Sequence, residues 1–218
     1  RKAHTAKERS AIPRAKMTEL APDYRVTCNE EVNQGLSRYQ AVLEATRCLD
    51  CPDPQCVTGC PVGINIPGFI KNIERENFGD AAVVLKETSA LPAVCGRVCP
   101  QERQCESKCI YNKMKKEPVA IGYLERFAAD TERLSGNSAL PAREAANGIK
   151  VAVVGSGPAS LSFAGDMAKR GFEVHVYEAL HEIGGVLKYG IPEFRLPNEV
   201  VDVEIRALEQ MGVKFMTD

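Results

Sequence analysis

Eight of the nine cysteines fall in two bursts between residues 48 and 109, and this grouping limits the possible folds more than any other feature. The first burst, CLDCPDPQCVTGCP, spaces Cys48, Cys51, Cys56 and Cys60 as C-x2-C-x4-C-x3-C-P. The second, CGRVCPQERQCESKC, spaces Cys95, Cys99, Cys105 and Cys109 as C-x3-C-x5-C-x3-C, with Pro100 opening the x5 gap. Thiolates this close in sequence can converge on a soft metal or cluster when the loop curls around it. Gly59, Gly63 and the prolines suit a backbone wrapped closely around a bulky group. Three readings compete. Iron–sulfur clusters lead. Structural zinc comes second, because the x4 and x5 gaps depart from the paired C-x2-C knuckles of zinc ribbons. Disulfides come third, since no apolar signal-peptide core near the start points to an oxidising compartment. Counting alone gives eight thiolates for two four-iron clusters and leaves Cys28 as an ordinary thiol.

The rest of the chain supplies the frame. Residues 1–35 are polar with few periodic apolar positions and read as a surface arm, of a kind that can dock on a partner. Helical spacing is expected from Ser37 toward Cys48, with Tyr39, Val42, Leu43 and Thr46 on one face. Asn65 before Ile66-Pro67 is a fitting N-cap, and Phe69, Ile70 and Ile73 follow at helical spacing. Further helices fit Asp80–Thr88 and Val119–Leu134, the latter with Ile121, Leu124, Phe127 and Ala128 facing inward. SGNSALPAREAANG then marks a linker over 135–149. Beyond it the pattern changes to a buried strand at Lys150–Val154, a helix at Ser156–Arg170, a strand at Glu173–Tyr177, a helix at Asn198–Met211 and a strand at Val213–Met216. A small helical unit over 36–134 thus precedes the start of a β-α-β unit over 150–218. The formal net charge of −1 argues against nucleic acid or an anionic membrane as main partner. No apolar run approaches the roughly 18 residues of a membrane span, and a cytoplasmic protein is expected.

The turn after the first of these strands, Gly155-Ser-Gly157-Pro158-Ala159-Ser160, is a G-x-G-x-x-G/A fingerprint with serine last. Gly155 allows the tight turn, Gly157 lets backbone approach a pyrophosphate, and the helix N-terminus offers amide N–H groups to it. Glu178 closes the second strand 23 residues after Gly155, where a carboxylate can bond the ribose hydroxyls of an adenosine. FAD and NAD(P) share this fingerprint. The loop that follows, Glu182–Pro197, is long and glycine-rich. It reads as backbone laid along a long cofactor, with Arg195 near its phosphates or flavin.

In this order, CLDCPDPQCVTGCPVGINIPGFI, CGRVCPQERQCESKC, VAVVGSGPAS and GGVLKYGIPEFRLP resemble the NADPH-dependent glutamate synthase small-subunit family. That family includes the large subunit of ferredoxin:NADP⁺ oxidoreductase and is similar to the N-terminal half of dihydropyrimidine dehydrogenase. The likeness covers roughly residues 36–218. It implies an α + α/β protein, in which an α-helical ferredoxin-like domain with two 4Fe-4S clusters precedes the first part of a Rossmann-like FAD-binding domain. By position it assigns one cluster to Cys48, Cys51, Cys56 and Cys109, and the other to Cys60, Cys99, Cys105 and a non-cysteine ligand, Glu125. Cys95 is then not a ligand, against the count of thiols. For FAD it implicates Gly155, Gly157, Pro158, Ala159, Glu178, Gly185, Leu187 and Arg195.

The resemblance further implies that electrons pass from NAD(P)H through FAD and the clusters to a partner subunit. That partner is the glutamate synthase large subunit or a ferredoxin-linked oxidoreductase subunit. The family's NAD(P)H domain has no counterpart before Asp218, so NAD(P)H binding is expected only in a longer protein or from another chain. The alternatives are a non-catalytic electron-transfer or scaffold module and, with less support, a zinc-stabilised interaction domain.

Overall fold

The computed structural model describes residues 4–136 and 139–218; residues 1–3 of the expected arm and 137–138 of the expected linker lie outside the described residues. Its helices are α1 (Ala6–Ala11), α2 (Pro22–Arg25), α3 (Arg38–Thr46), α4 (Gln55–Thr58), α5 (Ile66–Glu74), α6 (Phe78–Thr88), α7 (Pro92–Val98), α8 (Ile110–Lys113), α9 (Ile121–Ser135), α10 (Pro158–Lys169), α11 (Val186–Tyr189) and α12 (Asn198–Gln210). The strands are β1 (Lys150–Val154), β2 (Glu173–Glu178) and β3 (Lys214–Thr217).

Local chemistry sets the helix starts. Ser37 and Gln40 form a reciprocal capping box on α3, and the Asn65 side chain accepts from the Gly68 N–H at 3.1 Å at the head of α5. Phe69, Ile70 and Ile73 of α5 pack into one core with Leu85 of α6 and Ile121, Leu124, Phe127 and Ala128 of α9. The inward face of α3 differs in part from the expectation: Thr46 is buried, but Val42 and Leu43 are only half-buried. Ala41, Glu44 and Ala45 are buried, while Tyr39 is 76% exposed. The two alanines are small enough to let α5 close in, and Glu44 can go inside because its carboxylate is fully used. It accepts from Ala15 N–H at 2.6 Å and Ala120 N–H at 2.8 Å and pairs with Arg47 at 2.6 Å. Arg47 is buried too and donates to the carbonyls of Ile12, Glu117 and Pro118. A pair buried this deeply persists only when every donor and acceptor is matched.

The described part of the arm docks on its own chain. Arg9 donates to the carbonyls of Thr46 and Cys48, Arg14 pairs with Glu106 at 2.8 Å, and Val32 N–H donates to the Phe194 carbonyl at 2.9 Å.

The three strands form a parallel sheet in the order β1-β2-β3, with Val151 opposite Val174 and Val176 opposite Phe215. Parallel pairing follows from the helical crossovers α10 and α12. Val174 and Val176 of β2 are buried against Leu161, Ala164 and Ala168 of α10 and Leu208 of α12. β1 departs from the expected buried strand. Val153 alone is buried and Val154 is 88% exposed. Among the described strands β1 pairs only with β2, which leaves its other edge free. The core under the sheet also takes in Leu91, Ala93 and Val94 at the head of α7, and Ala129 of α9. The helical unit is thereby joined to the sheet through α7, the helix that carries Cys95 and leads to Cys99.

Candidate functional site: two thiol sets and a glycine-rich dinucleotide turn

The two bursts interleave in space. Gly59, next to Cys60, packs so closely on the second burst that a Cβ there would lie 2.8 Å from the Gln104 carbonyl oxygen and 3.1 Å from the Cys105 Cα. This contact moves Cys60 away from its neighbours in sequence. Cys48, Cys51 and Cys56 line one cavity together with Cys109, under an apolar wall of Ile66, Ile70, Tyr111 and Ile121. Cys48 leaves the end of α3, Cys56 lies within α4, and Cys109 follows the turn Glu106–Lys108 that packs against α4. Burial and then the neighbouring Cys48, Cys109 and Cys51 push the Cys56 thiol up to about 12. Burial likewise raises the Cys48 and Cys51 thiols, and thiols that resist ionisation in this way are ones that a bound positive charge would favour as thiolates.

The second set forms where α7 crosses α9. Gly96 meets Arg126 backbone to backbone; an added Cβ would come within 2.5 Å of the Arg126 N and 2.6 Å of its Cα. This approach brings Cys99, just past α7, toward Glu125 on α9. Burial first, then Glu125 and Cys60, lift the Cys99 thiol to about 11. The same burial, followed by Glu106, Glu125, Cys60 and Cys99, raises Cys105. The structure thus gathers Cys60, Cys99, Cys105 and Glu125. Cys95 responds to burial, Glu125, Cys99 and Glu204, and its thiol is hydrogen-bonded with Ser89.

Glu125 is the anomaly of this site. It is buried, its carboxyl is raised to about 8 by desolvation and then by Glu204, and its Oε1 has no hydrogen-bond partner among the described residues. Buried carboxylates without a partner are costly and rare. Three thiols and one orphaned carboxylate oxygen fit a four-ligand cluster site. Among the described residues, no three His, Cys, Asp or Glu side chains converge tightly enough to hold a single metal ion.

At the sheet, Gly155 takes φ +84° in the turn after β1, and Gly157 caps α10 with Pro158 in its first turn. A Cβ at either glycine would meet nothing within 4 Å, so the space above both is open. Gly185, at φ +53°, lies against Gly157, where a Cβ would come within 2.9 Å of the Gly157 Cα. The long loop therefore closes directly onto the phosphate turn. Ala159 and Arg195 are exposed and Pro158 is half-buried. The Leu187 side chain belongs to the core, so only its backbone is available to a ligand.

Glu178 is engaged as well. Its Oε2 accepts from the Ser156 N–H at 2.8 Å and the Ser156 hydroxyl at 2.5 Å, and its Oε1 accepts from the Leu180 N–H at 3.0 Å. These bonds, the Ser156 hydroxyl first, hold its carboxyl below the usual range. Ser156 is fully buried and also accepts from the Gly184 N–H at 3.0 Å, so one hydroxyl pins the phosphate turn, the acid and the long loop together. Sequence reasoning missed this residue. Its only trace was a small polar side chain inside the fingerprint. Ser156→Ala leaves the buried Gly184 N–H unpaired and is expected to cost about 1–3 kcal/mol. The denaturant midpoint should fall, with bound dinucleotide released more readily; a midpoint equal to wild type would count against the pin.

Comparison with known proteins follows the same division. Residues 25–137 match the family described as dihydropyrimidine dehydrogenase domain II, 4Fe-4S cluster, and residues 153–214 match an NAD(P)-binding Rossmann-like domain. The chain is 40% identical over 184 residues to the NAD-dependent dihydropyrimidine dehydrogenase subunit PreT of Escherichia coli K12, covering 84% of this chain and 44% of that protein. It is 37% identical over 187 residues to the glutamate synthase (NADPH) small chain of Azospirillum brasilense, covering 85% of this chain and 38% of that one. The small chain of E. coli K12 glutamate synthase (NADPH) is 37% identical over 185 residues, or 85% and 39%. The chain therefore spans less than half the length of these relatives.

Proposed function

This chain belongs to the family described as dihydropyrimidine dehydrogenase domain II, 4Fe-4S cluster, and on that premise we propose that it is the electron-transfer region of a cytoplasmic NAD(P)H-dependent flavin and iron–sulfur oxidoreductase. Two clusters are held, one by Cys48, Cys51, Cys56 and Cys109 and one by Cys60, Cys99, Cys105 and Glu125. FAD lies over Gly155, Gly157, Pro158 and Ala159, with Glu178 at its ribose, Gly185 and Leu187 alongside and Arg195 near its phosphates or flavin. Bound clusters supply one-electron transfer, and a flavin links this to the two-electron chemistry of a nicotinamide. The acceptor is a partner subunit of the glutamate synthase or ferredoxin-linked type. No helix among the described residues is long and apolar enough to cross a membrane.

The observation that carries the reading is the orphaned Glu125 oxygen beside three buried thiols. Cys99 follows α7, whose head shares a core with the sheet, whereas Cys60 and Cys105 pack in the helical core with Cys48, Cys56 and Cys109. The match to an NAD(P)-binding domain favours a second reading, in which the turn holds NAD(P) itself.

Anaerobically prepared protein should be brown, with iron and acid-labile sulfide in equal amounts, and should release a flavin on denaturation. Colourless protein with stoichiometric zinc refutes the cluster reading, and NAD(P) without flavin moves the turn to the second reading. Arg195→Ala should loosen the flavin; unchanged retention removes Arg195 from the site.

A further inference from the structure

Two buried guanidiniums flank the second ligand set. Arg97 lies two residues from both Cys95 and Cys99, and Arg126 is next to Glu125. Their side chains are 1% and 6% exposed, and they face each other where α7 crosses α9. Two like charges in that place push the helices apart unless carboxylates bridge them. Asp130, one turn further along α9, bridges both, at 2.8 Å to Arg97 and 3.3 Å to Arg126. It also pairs with Arg133 at 3.6 Å, so it serves three cations.

The second bridge comes from the arm. Glu31 Oε1 lies 2.9 Å from Arg97 Nε and 3.0 Å from Arg126 Nη1, and its Oε2 accepts from Arg97 Nη2 at 3.3 Å. Remaining donors go to neutral acceptors, with Arg97 Nη1 bonding the Ala93 carbonyl at 3.0 Å and Arg126 Nη2 the Asn33 carbonyl at 2.7 Å. The arm is held in place by the adjacent Val32 N–H bond to the Phe194 carbonyl.

We infer that Glu31 is a positioning residue for the second ligand set: it supplies the charge that lets α7 and α9 cross closely enough for Cys99 and Glu125 to share one site. The inference rests on the cluster reading above. Without Glu31, the two guanidiniums share Asp130, and one positive charge is left uncompensated beside the ligands. A nearby positive charge favours the reduced form of a cluster and raises its potential.

The test compares anaerobically purified Glu31→Gln with wild type by iron content and by potentiometric titration followed by electron paramagnetic resonance. The expected result is loss of about half the iron, or, where the iron stays, a positive shift in one of the two midpoint potentials and none in the other. Glu31→Asp should restore the wild-type values, and Arg126→Gln added to Glu31→Gln should recover iron by restoring the charge balance. Glu30→Gln, on the exposed neighbour bonded to Tyr24, should change nothing. Wild-type iron and both potentials unmoved in Glu31→Gln overturn the inference, as does an iron loss that neither rescue reverses. Wild-type protein with fewer than two clusters overturns the underlying reading instead, whatever Glu31 does.

Discussion

Glu125→Ala is expected to remove about half of the iron bound per chain, while Cys95→Ala leaves the iron content unchanged. The contrast follows from where the two side chains lie. Glu125 carries the orphaned oxygen among the thiols of Cys60, Cys99 and Cys105, whereas the Cys95 thiol is already hydrogen-bonded with Ser89. Retained iron in Glu125→Ala with loss in Cys95→Ala reverses the assignment and returns the eighth ligand to the thiol. In metal-free protein the sign of the Glu125 effect changes. Its carboxyl keeps its proton to about 8 against an ordinary value of 4.5, so burial favours the neutral form. A raised acid destabilises the fold progressively as pH climbs from 4.5 toward 8, because the unfolded chain ionises first. Metal-free Glu125→Gln should therefore be more stable than metal-free wild type near neutrality, with a gap that widens over that range. The difference in denaturant midpoint measured at several pH values checks it, and a gap independent of pH counts against it.

Gly96→Val should be strongly damaging although the residue is not itself a ligand. The new Cβ would stand 2.5–2.6 Å from Arg126 backbone atoms, which cannot step aside as the end of a flexible side chain can. The helices must separate, at a cost of about 3 kcal/mol or more. For a chain of this size that corresponds to a fall in Tm of roughly 6–12 °C. Separation also moves Cys99 from Glu125, so the second cluster should go before the first. Iron content and Tm measured together decide the matter. A variant with full iron and an unchanged Tm means that the crossing is looser than its geometry.

The arm and the α3 face show where sequence patterns stop. Tyr39, Val42 and Leu43 are the larger apolar residues of α3, yet the helix turns Ala41, Glu44 and Ala45 inward. Apolar periodicity rewards size, whereas close helix packing rewards smallness. The acid goes inside because two backbone amides and an arginine wait there, from segments distant in sequence. Glu31 was equally illegible, as one acid in a polar stretch with nothing local to show that it meets two buried arginines.

What the sequence determined by itself is local chemistry: two thiol bursts, helix caps at Ser37 and Asn65, a glycine turn between strand and helix, and an acid at the end of β2. Each depends on residues within a few positions of one another, so spacing reveals it. The tertiary structure decided how the bursts divide. Cys60 leaves its neighbours because Gly59 lets the two loops touch, and Cys99 reaches Glu125 because Gly96 lets α7 lie on α9. Steric contact between distant segments chooses the set, and no spacing within either burst encodes that contact.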